Sequence, residues 1–212
     1  MADGVKKVLM TGATGYIADQ LLPAFKERYQ MVLVDVSEEN RRGERVEGVV
    51  SADLMDPDRT LYAPHFDGVD AVVHLANRRS SGLPLDQFFD ENANVQMAYN
   101  VLRTAYEAGV PRVAMASSNH AADWYEHNLI HEKQMEMVEP YQLPISDNFY
   151  GWAKASYELL GFTFATGGGG DGRLENVQLR IGGPRETDIE SCGPNDLKKL
   201  HRALGAYLSV RD

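Results

Sequence analysis

Tyr150 and Lys154 stand four residues apart in the segment YGWAK. On a helix that spacing puts both side chains on one face. An ammonium beside a phenol stabilises the tyrosinate and draws its pKa below about 10, so the tyrosine can exchange protons near neutral pH. Taken alone, the pair suits a solvated helix face equally well. Ser117 and Ser118 follow the short apolar run Arg112–Ala116. A hydroxyl at the carboxyl end of a strand can hydrogen-bond a substrate oxygen beside the tyrosine.

A second constellation lies near the amino terminus. Thr11–Ala18 reads TGATGYIA, after an apolar run and before a helical pattern. The spacing Gly12, Gly15, Ala18 is a variant of the dinucleotide-binding fingerprint. Gly12 permits the tight turn, Gly15 lets backbone amides approach a pyrophosphate, and Ala18 keeps helix and strand close. The helix start then offers N–H groups and partial positive charge to the phosphates. A glycine turn alone is weak, since ordinary strand-to-helix turns also use glycine. Asp35 strengthens it. It ends the next apolar run, twenty residues after Gly15, where a carboxylate can bond the adenosine ribose hydroxyls. A carboxylate there repels a 2′-phosphate, which favours NAD over NADP. Asp53 follows the third apolar run and is placed to approach the adenine, though a surface role fits it nearly as well.

The elements that must carry these residues alternate in type. Strands are expected at Val5–Met10, Met31–Val36, Val49–Ala52, Ala71–Leu75, Arg112–Ala116 and Val177–Ile181. Helices are expected at Tyr16–Tyr29, Leu85–Ala108 and Asn148–Ala165, with Pro23 bending or weakening a turn of the first. Near-continuous apolar strands separated by helices imply a parallel sheet covered on both faces. The fold class is therefore α/β, a Rossmann-type doubly wound sheet. Thr166–Arg173, TGGGGDGR, reads as a mobile surface turn, and residues 120–147 as a long loop or partly helical stretch.

Composition narrows the function classes. The 212 residues carry 21 Lys and Arg against 31 Asp and Glu, a formal charge of −10, with 43% apolar residues. That acidity argues against nucleic acid or an anionic membrane surface as the main partner. No apolar run approaches the ~18–20 residues of a membrane span, and a cytoplasmic globular protein is the default. Cys192 is the single cysteine, so an internal disulfide and a cysteine-built zinc site are excluded. His127 and His131 are four apart, but no third ligand is evident, so no metal is expected.

These motifs occur in an informative order: TGATGYIA, Asp35, HLAN (His74–Asn77), Asn94, SSNH (Ser117–His120), YGWAK and RIG (Arg180–Gly182). The chain resembles the extended short-chain dehydrogenase/reductase family (NAD-dependent epimerases and dehydratases), and within it the uronate dehydrogenases and related sugar dehydrogenases. SSNH is the most specific element, because sugar-nucleotide epimerases usually differ there. The resemblance implies NAD as cofactor and Ser118, Tyr150 and Lys154 as the catalytic set. Tyr150 would take a sugar hydroxyl proton while hydride leaves. Lys154 would hold the nicotinamide ribose, and Ser118 would fix the reacting oxygen. Tyr16 and Ile17 would cover the pyrophosphate, with Asp53 and Leu54 beside adenine. Leu75, Ala76, Asn77 and Ile181 would lie along the cofactor, and Asn94 would support the site's hydrogen bonds. Asn119 and His120 would line the sugar, and Arg202 would clamp its carboxylate.

By the same resemblance, residues 1–182 form the NAD-binding domain with the catalytic residues. Residues 183–212 form part of a small substrate lobe that runs longer in that family. A homodimer or higher homo-oligomer is implied, the dimer joined through helices 85–108 and 148–165. Arg78 and Arg79 depart from the family, whose uronate enzymes usually carry a small residue and Ser there. Two other functions remain open: a sugar-nucleotide epimerase or dehydratase with tightly held NAD, and a non-catalytic NAD-binding module.

Overall fold

Leu9 and Met10 are adjacent in sequence and both fully buried, yet they belong to different hydrophobic clusters. Successive strand residues face opposite sides of a sheet, so a strand can bury both neighbours only if both faces are covered. That is the arrangement in the computed structural model, which describes residues 4–80, 82–183 and 200. Strands β1 (Lys7–Thr11), β2 (Gln30–Asp35), β3 (Val49–Ser51), β4 (Ala71–His74), β5 (Arg112–Ser118) and β6 (Glu175–Ile181) form one sheet. Its order is β3-β2-β1-β4-β5-β6 and its pairings are parallel. The chain reverses direction across the sheet between β1 and β4, the switch point where ligands bind in such folds.

Helix α1 (Tyr16–Arg28) covers one face with Ala18 and Leu22, and is continuous across Pro23. Helices α2 (Gln87–Glu107) and α4 (Phe149–Ala165) pack on each other and supply Met97, Val101, Leu102, Tyr157 and Phe164 to the cluster on the other. Asn148 caps α4, its side-chain oxygen accepting from the Gly151 N–H at 2.8 Å. Between β5 and α4 the chain makes a 3-10 turn (Asn119–Ala122), the single turn α3 (Asp123–Tyr125) and a π-helical turn (Glu126–Ile130).

One expected strand boundary is corrected here. β5 runs two residues further than its apolar pattern, so Ser117 and Ser118 are its last residues. Their side chains are buried because β6 pairs with β5 along its whole length. In the glycine-rich surface turn the Gly172 N–H donates to the Tyr106 hydroxyl at 2.8 Å, and Gly170 lies against the same ring. Of the expected substrate lobe, only Gly183 and Leu200 are described, and Arg202 and Cys192 lie outside the described residues. Among the described residues, no helix is long and apolar enough to cross a membrane.

Candidate active site

A cleft of about 960 Å³ runs along the carboxyl ends of the strands. Its floor at β1 is the glycine turn. Gly12 has φ +69°, and a Cβ there would lie 2.5 Å from the Ala76 backbone nitrogen, so only glycine lets the turn pass the end of β4 this closely. Gly15 caps α1 without a side-chain hydrogen bond, which leaves that helix end turned to the cleft with its N–H groups.

Asp35 ties this turn to β2. Its Oδ2 accepts from the Thr14 N–H at 2.9 Å and hydroxyl at 2.7 Å, and its Oδ1 accepts from the Val36 N–H at 2.7 Å. A carboxylate has about four acceptor positions, so one remains for a ribose hydroxyl. Asp53, Leu54 and Glu39 line the same end, with Arg41 stacked over the Tyr16 ring at 5.8 Å. A turn with this clearance, an open helix start and a carboxylate twenty residues on fit the pyrophosphate and ribose of a dinucleotide.

At the β5 end, the cleft is lined by Ser118, Asn119, His120, Tyr150, Lys154 and Ile181. The structure thus brings Tyr150 and Lys154 onto one helix face beside Ser118. The Ser118 hydroxyl donates to Asn119 Oδ1 at 3.3 Å and accepts from the His120 N–H at 3.2 Å. The Ser118 hydroxyl also lies close enough to the Tyr150 phenol to favour its ionised form. His120 is aimed by Asp123, whose Oδ2 lies 2.6 Å from its Nδ1, and its ring meets Tyr150 edge to face at 5.4 Å. The α4 start approaches this turn so closely that a Cβ on Gly151 would fall 2.1 Å from the His120 carbonyl.

The electrostatics differ from the sequence expectation. Lys154 is buried, its Nζ donates to the Ala116 carbonyl at 3.0 Å, and it sits 5.6 Å from the Tyr150 ring centre. Burial pushes its pKa down to about 8, opposed by the charge of Glu91. Tyr150 is not lowered. Burial pushes its phenol above the ordinary value, the Ser118 hydrogen bond opposes this, and the charges of Glu91 and Asp123 add to the rise. The tyrosine is therefore held as a neutral phenol near pH 7.

Of the residues singled out in the sequence, Gly12, Gly15, Tyr16, Ile17, Asp35, Asp53, Leu54, Leu75, Ala76, Asn77 and Ile181 line the cleft, as do Ser118, Asn119, His120, Tyr150 and Lys154. Asn94 does not. It is fully buried behind the wall, where its Oδ1 accepts from the Arg78 N–H at 2.7 Å and its Nδ2 donates to the Arg78 carbonyl at 3.0 Å. It holds the backbone of the cleft residue Arg78 in the loop after β4. His127 pairs with Asp147 at 2.7 Å and His131 with Glu126 at 3.4 Å. Among the described residues, no group of three or more His, Cys, Asp or Glu is disposed to hold a metal.

Sequence reasoning passes over Glu91, Asp123 and Glu158. Glu91 and Asp123 are buried acids beside the site. Glu158 accepts from Ser117 at 2.8 Å and pairs with Arg180 at 2.8 Å, locking α4 to β5 and β6. The available signal is a charge on a buried helical stripe. Glu91, Asn94, Met97 and Val101 follow helical spacing on one face of α2, and all are buried.

Known proteins share this fold. Residues 8–173 match the NAD dependent epimerase/dehydratase family, and the chain belongs to it. It is thus an enzyme of the extended short-chain dehydrogenase/reductase type, with NAD as its cofactor. An NAD-dependent glucose-6-phosphate dehydrogenase of Haloferax volcanii is 31% identical, over 97% of this chain and 76% of that protein. A uronate dehydrogenase of Pseudomonas syringae is 30% identical over 83% of this chain and 58% of that protein, so the chain spans little more than half of that relative. The solved uronate dehydrogenase of Agrobacterium tumefaciens superposes with a TM-score of 0.70 at 25% identity, covering 96% of this chain and 67% of the other.

Proposed function

We propose that the protein oxidises a free, anionic sugar with NAD, removing hydride from a ring hydroxyl, most simply the anomeric one to give a lactone. The observation that carries this reading is the Ser118–Tyr150–Lys154 cluster at the β5 end of a dinucleotide-shaped cleft. NAD, when bound, supplies the hydride acceptor and a positively charged ring. Ser118 would hold the reacting oxygen against Tyr150. Tyr150 would accept the hydroxyl proton through its phenol oxygen, once ligand charge has lowered a pKa that burial raises. Lys154, charged near neutral pH, would bond the ribose and stabilise the tyrosinate. Asn119 and His120 would contact the sugar, with Asp123 orienting the imidazole.

An anionic substrate is supported by how charge is distributed in the cleft. Its described acidic lining residues, Asp35, Glu39 and Asp53, follow β2 and β3 at the adenine end. The end around β4 and β5 is lined by Arg78, Arg79, His120 and Lys154. A carboxylate or phosphate on the sugar suits that end. Residues 1–182 would serve as the cofactor and catalytic domain, and residues 183–212, with Arg202, as part of the substrate grip. A homodimer through α2 and α4 is supported by Phe89, Leu159 and Phe162, which those helices leave largely exposed.

The test separates this reading from an epimerase. Purified protein is given NAD and a uronic acid, a hexose phosphate or a nucleotide sugar, and products are followed by mass spectrometry. An aldonolactone, or its hydrolysed acid, with equimolar NADH supports sugar oxidation. An isomerised nucleotide sugar with NAD retained on the protein would replace it.

A further inference from the structure

Arg78 lines the cleft from the loop after β4, and its backbone is held from inside the protein. Asn94 of α2 is fully buried, and it grips both sides of this residue. Its Oδ1 accepts from the Arg78 N–H at 2.7 Å, and its Nδ2 donates to the Arg78 carbonyl at 3.0 Å. The same carbonyl accepts from Asn77 Nδ2 at 3.0 Å. Asn94 is itself braced, since its Nδ2 also donates to Oε2 of the buried Glu91 at 3.1 Å. Buried amides and acids are costly unless paired. Here their pairing fixes one residue of the cleft wall, while the Arg78 side chain stays largely exposed.

The side chain has a direction. Its Nε lies 3.5 Å from Oδ1 of Asp90, in the first turn of α2. That turn meets the first turn of α4, where the Phe88 ring packs against Phe149 at 5.9 Å and Trp152 at 5.5 Å. Tyr150 stands between those two residues in sequence. The guanidinium is therefore drawn to the α2–α4 side of the sheet, toward the reacting end of the cleft. Helix α1, whose start faces the cofactor phosphates, covers the other side. A guanidinium presents five N–H groups in a planar fork. With Asp90 toward its Nε, donors on the far side of the fork remain for a second oxyanion, and two parallel bonds to a carboxylate or phosphate suit them.

We propose that Arg78 is the specificity-determining residue for the substrate, receiving the carboxylate or phosphate of the sugar, and that Asn94 is a positioning residue that sets the backbone from which Arg78 reaches. This rests on the oxidation of an anionic sugar proposed above. Asp90 holds the guanidinium in place before the sugar arrives. A neutral sugar offers no oxyanion to the fork, so charged and neutral sugars of the same ring are told apart by this contact. Charge-assisted bonds of this kind are worth about tenfold or more in affinity.

The test measures binding in the complex with NADH, where a sugar cannot be oxidised. Calorimetry gives the Kd of glucuronate, glucose 6-phosphate and glucose for the wild type, Arg78→Met and Asn94→Ala. The wild type should bind at least one of the charged sugars about tenfold or more tightly than glucose, and which one it is separates carboxylate from phosphate. Arg78→Met keeps an apolar stem at an exposed position, so the fold should hold, and it should remove most of that preference. Asn94→Ala should reduce the preference as well; an equal weakening of all three sugars would overturn its positioning role. A wild type with no preference for charge overturns the proposal. So does a preference that survives Arg78→Met, or a loss of NADH affinity in that variant in place of sugar affinity, which would make Arg78 a cofactor ligand. A charge preference that Arg78→Met abolishes, in a protein that oxidises none of these sugars, would uphold Arg78 and overturn the oxidation reading alone.

Discussion

Lys154 Nζ donates a 3.0 Å hydrogen bond to the carbonyl oxygen of Ala116, pinning α4 to the end of β5 that carries Ser117 and Ser118. One buried contact thus sets the distance between the Tyr–Lys helix and the serine strand. It also removes Lys154 from water, and that has a measurable consequence for stability.

The unfolded lysine titrates near 10.5 and the folded one at about 8. Between those values the unfolded chain binds more protons than the native one, so this group makes stability rise with pH across that window. Below about pH 8 both states are protonated and the burial penalty is fully present. Thermal unfolding of the wild type and Lys154→Met between pH 7 and 10 checks this. The wild type should gain on the variant as pH rises, whereas parallel curves would mean that Lys154 is not buried as a charge. NADH affinity should move the opposite way and weaken above about pH 8 as the ammonium is lost.

Tyr150→Phe removes the proton acceptor and leaves the ring in place. Turnover should fall by about 10³-fold or more, while NADH affinity, read by fluorescence, changes less than about threefold. Turnover that survives this change would assign the base elsewhere.

Asp35→Ala should raise the use of NADP relative to NAD by about tenfold, since the group that repels a 2′-phosphate is gone. The same change unties Thr14 from the end of β2 and should cost about 1–2 kcal/mol in denaturant unfolding. A lost ΔG with an unchanged cofactor ratio would leave Asp35 as a structural staple only.

Gly151 supplies a test of the helix position itself. Its missing Cβ would meet the His120 carbonyl and the Ser146 Oγ, each at 2.1 Å. Gly151→Ala must push α4 away from the turn bearing His120, at a cost of about 1–3 kcal/mol. Turnover should fall by about tenfold or more, because Tyr150 is the neighbouring residue. An alanine tolerated without loss of either stability or rate would contradict the packing described for this turn.

Much of this arrangement is legible in the sequence, and what is not has physical reasons. Apolar runs bounded by helical patterns locate the six strands and three long helices, because strands covered on both faces are mostly apolar. The apolar pattern stops short of the end of β5 because Ser117 and Ser118 are polar; their hydroxyls are satisfied by Glu158 and by the turn at His120, contacts that only folding creates. Asn94 reads as a residue along the cofactor, but its side chain lies behind the cleft wall and holds the backbone of the cleft residue Arg78. The backbone after HLAN folds back and bonds both ends of the Asn94 amide, whose Nδ2 also donates to Glu91. Spacing alone puts the pKa of Tyr150 on the wrong side of its ordinary value. It shows that Lys154 is near, but not that burial and the charges of Glu91 and Asp123 raise the phenol against the Ser118 hydrogen bond. Glu91 is hidden at the sequence level because a glutamate on a helix is ordinarily solvated, and only the packing of α2 on α4 seals it.

The most direct measurement is the rate of NADH appearance with NAD and a panel of uronic acids, hexose phosphates, neutral aldoses and nucleotide sugars. Sustained, multiple-turnover reduction with a free sugar is predicted, fastest for those bearing a carboxylate or phosphate. Silence across the panel from protein that still binds NADH, or activity confined to nucleotide sugars, would contradict the account.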